Sequence, residues 1–157
     1  VEPLTRALRE LIGKYGLMEL LLMSPAGKVL HQELSERLTQ ETDTTNKQFC
    51  IICGHYEGID ERIFELFPIQ KISIGEYVVS SGELGALVLI DSMVRLIPGV
   101  LSEESLREES FSHELMRKKE YPQYSRPEIF EDIRVPEALL SGDKKRIQQW
   151  KQENCTN

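Results

Sequence analysis

Cysteine is scarce, three residues in 157, and Cys50, Cys53 and Cys155 form no even-numbered disulfide framework. Long apolar runs are missing too. Leu20–Met23 and Leu84–Ile90 fall well short of the roughly 18 residues that a membrane helix needs, so no membrane association is expected. The chain opens Val1-Glu2-Pro3 without the basic and apolar regions of a secretory signal, which makes the cytoplasm the expected compartment. Ten glycines and seven prolines are too few for collagen-like or low-complexity architecture. Gly-x-Ser-x-Gly, Walker and Gly-x-Gly-x-x-Gly signatures are lacking, and phosphoryl transfer and serine hydrolysis lose their usual support. His31, His55 and His113 share no ligand spacing, and cysteines three apart on a strand point to opposite faces, so no metal site is expected from them. Positive charge is also in deficit: 19 Lys and Arg against 26 Asp and Glu give −7, which counts against a free-standing nucleic-acid module.

What is present describes a globular chain, 40% hydrophobic and 29% charged. A chain of this size buries roughly 68–70% of its unfolded surface and needs no staple. Leu4, Leu8, Leu11 and Ile12 predict a helix over 4–14, and Leu17–Met23 predicts a buried strand closed by a Ser24-Pro25-Ala26-Gly27 turn. Leu30, Leu34 and Leu38 predict a helix over 29–39, followed by a polar loop at 41–47. Phe49–Cys53 reads as a strand, 60–67 as a short helix, and Ile69–Ile74 and Tyr77–Val79 as β-rich. The alternation implies an α/β fold, a parallel sheet with helices on both faces. Segment 80–97 is apolar nearly all round and is expected to be buried. The charged stretch 101–119 is expected to be a mobile surface connection, 121–127 to be irregular because of its two prolines, and 143–152 to be a last helix.

Glycines and polar residues concentrate after the strands, at 54–60 and 74–83. In an open α/β sheet ligands bind beyond the carboxyl ends of the strands, where glycines admit a close backbone approach. Tight turns alone would give the same pattern.

Seven ordered blocks carry a more specific signal: Gly54-His55-Tyr56-Glu57-Gly58-Ile59-Asp60-Glu61-Arg62, Ser73-Ile74-Gly75-Glu76-Tyr77-Val78, Gly82-Glu83-Leu84, Arg95-Leu96-Ile97-Pro98-Gly99-Val100-Leu101, Glu109-Ser110-Phe111, 121–127, and Val135-Pro136-Glu137 with Leu139-Leu140-Ser141-Gly142. In order and spacing, over roughly residues 20–150, they resemble the bacterial tRNA (guanine-N1)-methyltransferase family of the SPOUT superfamily. The resemblance implies a SPOUT methyltransferase fold with a C-terminal deep trefoil knot, which general topology rules would not predict. It implies S-adenosylmethionine as methyl donor, held largely by backbone groups at Leu22, Pro25, Gly54, Glu57, Ile74, Gly75, Glu76, Tyr77, Val78, Val79, Ser81 and Gly82. Ser81 stands where the family usually has glycine, and Leu22 where some relatives carry an aromatic residue.

The implied reaction is methylation of N1 of the guanosine 3′ to the tRNA anticodon. Glu109 takes the place of the family's aspartate base, and Arg95 that of its activating arginine. Ser110, Glu120, Tyr124 and Arg126 are the implied tRNA contacts, although Tyr124 and Arg126 equally suit packing against a partner subunit. The family is a homodimer with its active site at the subunit interface, and magnesium is associated with its catalysis. The implied organisation is a methyltransferase domain at 1–101 lacking its first strand, an active-site segment at 102–134, and the start of a helical tRNA-binding domain at 135–157. A donor-binding but catalytically silent SPOUT domain and a nonenzymatic α/β interaction module stay open beside the enzyme.

Overall fold

A computed structural model describes every residue except Asn46 and Tyr56, with the backbone alone at 43–45. The chain divides into two compact units, Val1–Val100 and Leu101–Asn157.

In the first unit the order is α1 (Glu2–Tyr15), β1 (Glu19–Val29), α2 (Gln32–Thr45), β2 (Phe49–Cys53), α3 (Ile63–Leu66), β3 (Ile69–Ser73) and α4 (Gly82–Val94). The strands form a parallel sheet in the order β2-β1-β3. The central strand β1 is buried over Leu20–Met23, as a parallel strand covered on both faces must be. On one face Leu21, Met23 and Ile72 pack with Leu34 and Leu38 of α2 and with Ala86 and Leu89 of α4. On the other, Leu20, Leu22 and Ile52 pack with Leu8 of α1 and with Ile63 and Phe67 around α3. Each fully buried Leu or Ile contributes on the order of 1.5–3 kcal/mol. Cys50 packs against the second cluster and Cys53 against the first, the divergence that strand periodicity requires.

Several sequence expectations are corrected. β1 does not end at Met23. It leaves the β3 ladder after Met23 pairs Ile72 and rejoins it when Lys28 pairs the same Ile72, so residues 24–27 form an excursion inside a longer strand. A side chain at Gly27 would collide with the backbone of Lys71 and Ile72, so glycine is required there by close approach rather than by a turn. The helix expected over 29–39 runs from Gln32 to Thr45 and takes in most of the expected loop at 41–47, of which Asn46 lies outside the described residues. Arg37 and Glu41 pair at one helical turn, and Lys47 bridges Glu41 and Glu19, which compensates for the weak propensity of this polar stretch. The helix at 60–67 shortens to α3, and 77–79 is not a strand.

α4 is buried along one stripe only, through Gly85, Ala86 and Leu89. Leu84, Leu87, Val88, Ile90 and Val94 are exposed, Leu87 at 63%. A single sheet face receives only one stripe of a helix, so an all-round apolar helix needs a second surface.

The second unit contains α5 (Glu103–Arg107), a hairpin of β4 (Ile129–Phe130) and β5 (Ile133–Arg134), α6 (Glu137–Leu140) and α7 (Lys144–Asn154). The hairpin was not foreseen; Glu131 and Asp132 turn it with positive φ, the geometry that suits a two-residue connection. The segment expected to be a mobile connection is a built loop. Ser102 caps α5 by accepting from the Ser105 amide, Phe111 donates to the Lys118 carbonyl, Arg117 to that of Ser112, and the Ser112 hydroxyl to that of Arg107. Asp143 caps α7 through the amides of Lys145 and Arg146, and 121–127 is irregular as its prolines predict. Among the described residues no helix is long and apolar enough to cross a membrane.

Candidate active site

Beyond the carboxyl ends of the three strands lies a cavity of about 310 Å³, at the lower end of the range for small-molecule sites. Leu22 and the excursion through Pro25 form one wall, Gly54 and Glu57 after β2 a second, and Ile74 with Tyr77–Gly82 after β3 the third. These are the expected donor-site residues, Leu22, Pro25, Gly54, Glu57, Ile74, Tyr77, Val78, Val79, Ser81 and Gly82. Gly75 and Glu76, expected at the donor site too, are not among the lining residues. Tyr56, within the Gly54–Arg62 block, lies outside the described residues.

The loop after β3 is stapled at its base. The buried Ser73 hydroxyl donates to the Gly75 carbonyl at 2.9 Å and accepts from the Gly75 amide at 3.2 Å, while Tyr77 Oη donates to the Ile74 carbonyl. Among the described residues the amides of Val78, Val79 and Ser80 have no backbone partner, which leaves donors along the cavity for a ligand. Gly82 opens α4 against the end of β2. A Cβ there would stand 2.9 Å from the Cys53 Cα and 3.1 Å from the Gly54 nitrogen, closer than a side chain is tolerated. Ser81 is extended, at φ −158° and ψ 157°, a conformation open to any residue, and so it replaces glycine without strain.

Sequence reasoning missed the charged wall of the cavity. Lys71 Nζ lies 3.0 Å from Glu61 Oε1 and 4.0 Å from the centroid of the Phe64 ring, and all three residues line the space. The available signal was a lone cation inside the otherwise uncharged strand Ile69–Ser73. At the start of α4, His55 Nε2 lies 2.7 Å from Glu83 Oε1; this contact, a backbone hydrogen bond and the Ser81 hydroxyl hold the Glu83 carboxyl below its ordinary range. Burial raises the thiols of Cys50 and Cys53, which makes them poor nucleophiles.

Arg95 closes α4, half-buried, its amide bonded to the Asp91 carbonyl; it does not line the cavity. In the second unit Glu109 and Ser110 are half-buried. The structure brings Ser110 to Glu120, whose amide donates to Ser110 Oγ at 3.0 Å. Tyr124 meets Trp150 edge-on at 6.1 Å, and Arg126 is exposed. Among the described residues no group of three or more His, Cys, Asp or Glu is placed to hold a metal ion.

The sequence profile of the family described as tRNA (guanine-1)-methyltransferase TrmD matches residues 1–157. The chain belongs to this family. It is 50% identical over 132 residues to the tRNA (guanine-N(1)-)-methyltransferase of Clostridioides difficile (strain 630), covering 83% of this chain and 54% of that relative. The relative so named from Moorella thermoacetica is 43% identical over 157 residues, covering 98% of the chain and 60% of its own length. That of Mycoplasma mobile is 42% identical over 155 residues, covering 99% and 73%. The chain thus spans between about half and three-quarters of these tRNA (guanine-N(1)-)-methyltransferases.

Proposed function

We propose that this chain carries the S-adenosylmethionine pocket and the carboxylate base of an enzyme that methylates N1 of the guanosine 3′ to the tRNA anticodon. One observation carries the reading: a cavity beyond a parallel sheet, lined by the blocks that define the family and fitted with a close-approach glycine and backbone donors without backbone partners among the described residues. These features suit a ligand recognised by main-chain groups. Leu22, Pro25, Ile74 and Val79 would hold its apolar parts, the 78–80 amides its acceptors, and Glu57 a cationic or hydroxyl group.

S-adenosylmethionine, when bound, supplies an electrophilic methyl group. Neutral guanine carries a proton on N1, so the nitrogen has no available lone pair until a base removes it. Glu109 takes that proton, help of a kind worth about 10²–10⁴-fold. Negative charge then grows on the guanine carbonyl oxygen, where the paired donors of the Arg95 guanidinium stabilise it. Glutamate in place of the family's aspartate keeps the chemistry and lengthens the reach by one methylene. Ser110, Glu120, Tyr124 and Arg126 contact the tRNA in this reading, within an active-site segment at 102–134 that leads into a helical tRNA-binding portion.

The same reading includes the trefoil knot of the family, a cytoplasmic location and a homodimer. The exposed apolar side of α4 supports the dimer, since five large aliphatic side chains on one helix are an unusual surface for a monomer. The base-bearing segment of one subunit would then serve the donor pocket of the other. Mixing Glu109→Ala subunits with subunits altered at Gly75 restores partial activity if so, and failure to complement argues against sharing.

Calorimetric titration with S-adenosylmethionine followed by methyl transfer to tRNA bearing guanosine or inosine after the anticodon tests the whole. Binding with methyl transfer to N1 of that guanosine supports the enzyme, and transfer to inosine as well shows that the 2-amino group is not required. Binding without transfer marks a silent donor-binding domain, and absence of binding sinks both.

A further inference from the structure

Glu108 and Glu109 are adjacent in sequence, yet the fold commits the first of them to an internal network. Glu108 Oε2 accepts from Tyr121 Oη at 2.6 Å and from Lys151 Nζ at 2.5 Å. The Lys151 ammonium lies 4.7 Å from the centroid of the Tyr121 ring, which is 8% exposed and meets Trp150 edge-on at 6.3 Å. Trp150 and Lys151 are neighbours on α7, so one turn of that helix supplies both an apolar and a charged anchor for the segment carrying Glu108. The far side of Glu109 is fixed as well. Ser110 Oγ accepts from the Glu120 amide, the Phe111 amide donates to Lys118, and the Ser112 amide donates to the Glu109 carbonyl itself. The strand-like pairing of Lys119 with Thr156, amide to carbonyl in both directions, ties the end of this loop to the chain beyond α7.

We propose that Glu108, clamped by Tyr121 and Lys151, is a positioning residue that holds the neighbouring Glu109 carboxylate in place to take the guanine N1 proton. The inference rests on the reading of Glu109 as the base. A clamp of this kind matters because displacing a catalytic group by about 1 Å can cost on the order of 10²-fold in rate. Hydrogen bonds from Lys151 and Tyr121 occupy Glu108 Oε2 and hold its carboxyl below the ordinary glutamate range, which makes it a weaker base than a carboxylate without such donors.

The test is steady-state methyl transfer to tRNA by the whole protein carrying Glu108→Gln, Lys151→Met or Lys151→Arg, beside Glu109→Gln. Expected for Glu108→Gln and Lys151→Met is a fall in kcat of about 10- to 100-fold, with S-adenosylmethionine affinity unchanged and the acidic limb of the kcat profile kept, because the base is the same group. Lys151→Arg recovers most of the rate. Thermal melting of each variant above the assay temperature separates this loss from unfolding, and Glu108→Gln carries the test where Lys151→Met does not fold. Unchanged kcat in Glu108→Gln with kcat abolished in Glu109→Gln overturns the positioning role alone. Loss of the acidic limb in Glu108→Gln makes Glu108 the base and overturns the proposal too. An unmodified protein that does not methylate tRNA, or full activity in Glu109→Gln, removes the reading on which it rests.

Discussion

Replacing Gly82 by alanine tests the geometry of the pocket most sharply, because the sign of the result depends on the close approach. The added Cβ would stand 2.9 Å from the Cys53 Cα, 3.1 Å from its Cβ and 3.1 Å from the Gly54 nitrogen. Two of those atoms are backbone at the end of a sheet strand and cannot swing aside as a side-chain tip could. Relief therefore comes from moving the first turn of α4 outward, which stretches the Gly82 amide to Gly54 carbonyl bond, already 3.3 Å long. Overpacking of this kind costs about 1–3 kcal/mol. Because Gly54, Ser81 and Gly82 all line the cavity, the cost divides between fold and ligand affinity. Falling wholly on affinity, it weakens S-adenosylmethionine binding by about 5- to 150-fold at 1.4 kcal/mol per decade. Calorimetry for Kd and thermal unfolding for Tm, on the same preparation, measure the two shares. Without the clash, alanine at the start of a helix is a better residue than glycine. Unchanged Kd together with a raised Tm would therefore refute the argument.

Gly13→Ala is the complementary case: it lies exposed in α1 with no atom within 4 Å of an added Cβ, so the expected change is a gain of about 0.5–1 kcal/mol and a rise of roughly 1–4 °C in Tm. Leu89→Ala empties a fully buried position between α4 and the sheet and should cost about 2–5 kcal/mol in chemical denaturation, whereas Leu87→Ala on the same helix should cost far less. Leu87→Glu should leave the fold intact and shift a dimer to monomer in sedimentation; retention of the dimer moves the interface off this face. The Glu108 carboxyl has a lowered pKa in the folded chain, so the stability it contributes is present above the ordinary value of 4.5 and is lost as pH falls through the folded value. Wild type should thus lose more Tm than Glu108→Gln on acidification below about 4.5, an effect kept small by the half-exposed carboxylate.

The strands β2 and β3, the buried start of β1 and the helix at 4–14 were legible because each is a local apolar pattern bounded by breakers. The excursion at 24–27 was read as a turn that ends a strand, since Pro and Gly punctuate both; what decides between them is that β3 waits at Ile72 for the chain to return. The reach of α2 past Thr39 was hidden because its polar last turns are held by the pair of Glu41 with Lys47, which also reaches Glu19 at the start of β1. The exposure of Leu84 and Leu87 could not be foreseen, as hydropathy says that a face wants cover but not which surface supplies it. The glycine-rich turns pointed to the right strand ends, yet Lys71 and Phe64 reached the cavity through tertiary packing that no short motif records, and it is that packing which brings Glu61 of the Gly54–Arg62 block to Lys71. The loop around Glu109 looked mobile because charge dominates its composition; its order comes from backbone bonds and from Trp150, forty-one residues along the chain.

The excursion at 24–27 makes the walls of the cavity and the continuity of the sheet the same atoms. Any occupant that touches Pro25 and Ile72 together bears on the point where β1 departs from β3 and returns to it. An occupant that binds only the folded arrangement adds about 2.7 kcal/mol to its stability at a hundredfold excess over Kd. That gain should register in the exchange of the Ile72 and Ser73 amides, slowed by about a hundredfold where exchange requires the sheet to open. Loading of the pocket can therefore be followed through the solvent exchange of a strand buried beneath it, without any chemistry taking place.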